Sequence, residues 1–89
     1  VLKIQKELEV YLHKKMKEQL CGGFVVQPFG TDKYLVVQIM DASDVVWEAQ
    51  MKPWLENRAG VVCSNYIPQE REVIVVLQPG YSHRNKRWA

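Results

Sequence analysis

Apolar side chains in residues 1–20 recur at intervals of three and four, at Val1, Ile4, Leu8, Tyr11, Leu12, Met16 and Leu20. That spacing gathers them into one stripe along a helix and predicts an amphipathic α-helix with one face on a core. Glu7 and Glu9 precede Lys14, Lys15 and Lys17, the order that the helix dipole favours. Cys21-Gly22-Gly23 is expected to end the helix, because glycine takes the left-handed C′ conformation without a Cβ clash.

From Phe24 onward the pattern shortens. Phe24–Gln27 and Tyr34–Met40 are β-prone runs divided by Pro28-Phe29-Gly30-Thr31-Asp32, which predicts a hairpin with a loop longer than two residues. Asp41-Ala42-Ser43-Asp44 is a helix-start cluster with Ser43 or Asp44 as N-cap. Trp47, Met51, Trp54 and Leu55 then share one helical face, so a second helix is expected over residues 44–58, ended by Gly60. Pro53 lies inside it and must kink or divide it, having no N–H to donate. Val61–Ile67 is a third strand.

The strongest signal is Val73–Leu77, five consecutive apolar residues, mostly β-branched, that stop before Pro79-Gly80. A strand sends alternate side chains to opposite faces, so a run apolar at every position predicts an interior strand with both faces covered. The order α-β-β-α-β-β gives an α+β fold, two helices packed on one face of a four-stranded, mainly antiparallel sheet. Residues 1–78 are assigned to a single small domain and 79–89 to a basic tail or linker. The two halves share a helix, a glycine and a valine pair in the same order, but short apolar strands resemble one another by composition alone, so no repeat is inferred.

Composition narrows this picture further. At 89 residues the chain can form one small core, and its 47 % hydrophobic and 25 % charged content is that of a chain that folds. A first residue of Val and an immediate helical pattern suggest a domain of a larger polypeptide. No apolar run reaches the ~20 residues that span a bilayer, so no membrane partner is expected. Two cysteines, Cys21 and Cys63, read as reduced thiols of an intracellular protein, cytoplasmic or nuclear.

Candidate chemistry is sparse. His13, Cys21, Cys63 and His83 are the only histidines and cysteines, and they lack zinc-site spacings, so no metal is expected. Asp41 and Asp44 open a helix, Glu70 and Glu72 flank a turn, and Gly22-Gly23 follows a helix rather than preceding one. The expectation is therefore a non-catalytic protein with no cofactor and no small-molecule substrate.

What remains is binding. Val10 on the first helix and Val45 and Val46 on the second fall outside the predicted core stripes and are the candidate protein-binding residues. Together with two sheet edges they suggest an interaction module that binds a protein partner or self-associates as a homo-oligomer. Net charge is +2 in residues 1–20, −3 in residues 21–78 and +3 in the last eleven. The alternative is therefore an RNA- or single-stranded nucleic-acid-binding module using Lys14, Lys15, Lys17, Arg84, Lys86, Arg87 and Trp88.

Overall fold

Val73, Val75 and Leu77 are fully buried and alternate with half-buried Ile74 and Val76 along one strand of the sheet interior. The computed structural model from which this is read describes residues 3–30 and 33–78. Its elements are α1 (Lys3–Lys17), β1 (Gly23–Phe29), β2 (Tyr34–Met40), a second helix in three pieces, β3 (Val61–Ile67) and β4 (Glu72–Leu77). All pairings are antiparallel and the strand order is β1-β2-β4-β3. This is the α+β architecture expected from the order of elements.

Helix α1 buries Ile4, Leu8 and Leu12, successive positions of one i, i+4 row. Its end is not made by glycine. Gln19 takes the left-handed conformation (φ 63°), the Leu20 N–H donates to the Lys15 carbonyl at 2.8 Å and the Gln19 N–H to the Met16 carbonyl at 3.0 Å. These are the two hydrogen bonds of a Schellman motif with glutamine at C′. Gly22 instead lies against Asp41, where a Cβ would stand 2.7 Å from the Asp41 Cβ.

Strand β1 continues through Pro28 to Phe29, beyond the Gln27 expected from sequence. Proline is tolerated there because β1 is an edge strand with no outer neighbour to receive an N–H. Strand β3 carries an irregularity between Val61 and Cys63, so that Val62 bulges out of register and is exposed.

The second helix comprises α2 (Asp44–Val46), a π-helical turn (Trp47–Met51) and α3 (Lys52–Leu55). Ser43 is its N-cap, its hydroxyl accepting from the Val46 N–H at 3.1 Å. The division expected at Pro53 takes the form of the π turn just before it, in which the Lys52 N–H reaches back five residues to the Trp47 carbonyl. Trp47, Met51 and Leu55, four apart, all face the core; a π turn takes more residues per revolution than an α turn, so it rotates the residues before it relative to those after it. The same shift corrects the reading of Val46. Projected at 3.6 residues per turn it falls opposite the core, but it is buried, only 7 % exposed.

Both helices share one core with a single face of the sheet. Leu8, Leu12, Met51 and Leu55 join Val37, Ile39, Val73, Val75 and Leu77 in one cluster. Tyr11 stacks on Trp54 at 4.3 Å across the helix–helix seam, and the Tyr66 hydroxyl donates to the Ala42 carbonyl at 2.8 Å.

Candidate functional site

Alternation along the strands decides which residues point away from the helices. Since Val37, Ile39, Val73, Val75 and Leu77 face the core, Val36, Gln38, Met40, Glu72, Ile74 and Val76 face the other side. Register extends that face to the outer strands: Val25 lies opposite Gln38, Phe29 opposite Tyr34, Cys63 opposite Val76, Asn65 opposite Ile74 and Ile67 opposite Glu72. None of Val36, Met40, Ile74 and Val76 belongs to the core cluster or packs against it. Among the described residues no element covers this second face.

The uncovered face is apolar at its centre and nearly uncharged. Val36 and Val76 are direct cross-strand partners, and Gln38 pairs with Ile74 one step further along. Glu72 is the only strand residue on this face with a formal charge, and its carboxylate accepts from the Gln38 side-chain amide at 3.0 Å. On β1, at the edge, Val25 and Phe29 are exposed, Phe29 to 59 %. The face was hidden in the sequence because the expectation assigned both faces of Val73–Leu77 to the chain's own cover. Its signal was present in the same run of residues: apolar at every position, with only two helices available to pack on it.

The residues proposed from sequence are scattered. Val10 is 65 % exposed and lines a groove of about 430 Å³ on the helical side, with Trp54, Lys3, Lys6, Glu7 and Arg58. Val45 is 70 % exposed at the start of the second helix and is not part of that groove, and Val46 is in the core. Part of the groove's lining is already engaged within the fold. The Arg58 guanidinium lies 3.9 Å from the Trp54 ring centre and 3.1 Å from the Glu7 carboxylate.

The three candidate lysines of α1, Lys14, Lys15 and Lys17, do not form one patch. Lys14 and Lys17 are exposed, but the Lys15 ammonium donates to the Gln50 side-chain oxygen at 2.6 Å and pairs with Glu18 at 3.4 Å. Its side chain, only 12 % exposed, lies at the helix–helix seam near the Tyr11 ring, out of reach of a phosphate. Arg84, Lys86, Arg87 and Trp88 lie outside the described residues.

Both cysteines are free thiols, Cys21 buried and Cys63 exposed. Burial, with a smaller contribution from Asp41, pushes the Cys21 thiol up despite a backbone hydrogen bond at Gly23 that pulls it down. A raised thiol is protonated at neutral pH and a poor nucleophile. Burial likewise pushes the Tyr11 phenol up. His13 stands edge-on to Phe24 at 5.1 Å on an exposed stretch of α1. No helix among the described residues is long and apolar enough to cross a membrane. No protein-family model, curated protein or solved structure matches the chain.

Proposed function

We propose that this chain is a non-catalytic interaction module that docks protein through the uncovered face of its sheet. One observation carries the reading: β2 and β4, the two interior strands, are largely apolar on both faces, with Gln38 and Glu72 paired on the outer one, and the helices cover one face. Antiparallel sheets that leave one face to water normally alternate apolar with polar side chains. Here the outward positions hold Val36, Met40, Ile74 and Val76. A contiguous apolar surface of this kind is the mark of a binding site rather than of a solvated face. Val10 and Val45, exposed on the helical side, provide a weaker second surface.

The nucleic-acid alternative loses one of its three helical lysines, because Lys15 is engaged within the fold. Lys14 and Lys17 with Arg84, Lys86, Arg87 and Trp88 would have to carry it alone.

The test uses an apolar fluorescent dye added to the folded chain at low concentration. The native monomer is expected to bind the dye, and Val36→Lys with Ile74→Lys is expected to abolish binding while circular dichroism and the unfolding midpoint persist. A native monomer that binds no dye sinks the reading.

A further inference from the structure

We propose that the uncovered face is occupied by a second copy of this chain, the two sheets packing back to back in an α-β-β-α sandwich. The inference rests on the docking reading above and names its partner.

Four strands of about seven residues present a footprint of roughly 23 by 19 Å, given a rise of ~3.3 Å per residue and a strand spacing of ~4.8 Å. That is about 440 Å² in projection, and corrugation by side chains brings its accessible area toward the ~600 Å² per partner at the lower end of the range for specific interfaces. Two sheets face to face are also a standard packing, with side chains interdigitating about 10 Å apart. An identical sheet supplies the shape that this face requires.

A two-fold interface sets each patch against itself, so like charges at its centre would repel. This face avoids the conflict at its centre, because Glu72, the one strand residue on it with a formal charge, stands at the end of β4; its carboxylate accepts from the Gln38 amide within the same copy. The amide side chains on this face are Gln38 at its centre and Gln27 and Asn65 on the outer strands, and an amide both donates and accepts, so it can complement a symmetry mate. The exposed lysines of α1 belong to the opposite layer. Back-to-back packing holds the two positive helical layers on the outside, with two sheets between them.

Sedimentation equilibrium of the full 89-residue chain, from about 5 to 500 μM, tests the proposal. A contact of this size is expected to give a reversible monomer–dimer equilibrium within that range. Ile74→Lys is expected to weaken dimerisation at least about tenfold, whereas Glu48→Ala, exposed on the helical side, leaves it unchanged. Should Ile74→Lys lose its native circular dichroism, Ile74→Thr replaces it and is expected to weaken association in the same direction. A chain truncated after Gln78 is expected to dimerise as the full chain does.

A monomer throughout the range overturns the proposal, as does a dimer indifferent to folded variants of Ile74. Dimerisation that emerges only on truncation overturns it too, by assigning the face to the chain's own residues 79–89. A chain that stays monomeric yet binds the apolar dye on this face loses the second copy as partner but keeps the docking reading. Failure of dye binding by the monomer removes the docking reading itself.

Discussion

Ile74 and Val75 are consecutive residues of β4, yet Val75 is fully buried beneath the helices while Ile74 points to the face they leave uncovered. One peptide unit separates a residue that supports the fold from one that is available to a partner. The two positions are therefore expected to respond oppositely to charge. Val75→Asp buries an unpaired carboxylate, which costs several kcal/mol against a total stability of about 5–10 kcal/mol, and the domain is expected to unfold. Ile74→Lys in the monomer is expected to shift stability by no more than about 1 kcal/mol. Urea denaturation followed by circular dichroism distinguishes the two, and a Val75→Asp chain with a native midpoint would contradict the burial argument.

Val45 and Val46 make a second adjacent pair with opposite fates. Val46→Asp is expected to destabilise the domain by about 2–4 kcal/mol, because the π turn brings that side chain into the core. Val45, 70 % exposed, is expected to accept Asp without measurable loss. Equal unfolding midpoints for the two variants would show that the helical phase has been misassigned.

Gly60 is expected to accept a side chain only at a cost in stability. Its φ of +97° is strained for any L-residue, and a Cβ there would stand 2.7 Å from the Ile4 Cγ2, so the Ile4 side chain would have to shift. Gly60→Ala is expected to cost about 1–3 kcal/mol. Shortening the neighbour with Ile4→Ala is expected to recover part of that cost in a double-mutant cycle, because it removes the clash but not the backbone strain. Strictly additive effects would mean that the two residues do not touch.

The two thiols are expected to separate in reactivity and in pH dependence. Cys63 is exposed and should be alkylated in seconds to minutes under conditions in which Cys21 waits for the domain to open. The Cys21 thiol is raised in the folded state, so as pH climbs through the ordinary thiol range the unfolded chain loses its proton first. Stability is therefore full below that range and falls as pH rises through it toward the folded value. Tyr11, also raised, extends the decline to higher pH. Urea midpoints measured from neutral to alkaline pH should fall less steeply in Cys21→Ala than in the parent chain, and parallel slopes would refute this assignment.

The basic residues offer the test of the alternative function. Arg84, Lys86 and Arg87 replaced together by Ala are expected to leave self-association unchanged, since the proposed interface is uncharged at its centre. Each phosphate contact to a single strand contributes about 0.7 to the log-log salt slope of binding. Tight oligonucleotide binding with a slope near 2 that vanishes in the triple variant would favour the nucleic-acid reading instead.

Local pattern alone was enough to determine the kind and order of the elements. The i, i+4 row of Ile4, Leu8 and Leu12, the β-branched runs of β2 and β4 and the serine before the second helix each encode a nearest-neighbour preference. Those preferences act over a turn or a few residues, so they are legible without the fold. Tertiary structure decided the rest. The π turn reset the phase of the second helix and moved Val46 inside. Gln19 capped α1 in place of glycine, and its left-handed strain is balanced by two hydrogen bonds that form only when the chain turns there. The strand order and the choice of which face of β2 and β4 the helices cover arise from non-local pairing and packing. Periodicity marks both faces of Val73–Leu77 as apolar but carries no information on what lies over each, and that difference is where the proposed function resides.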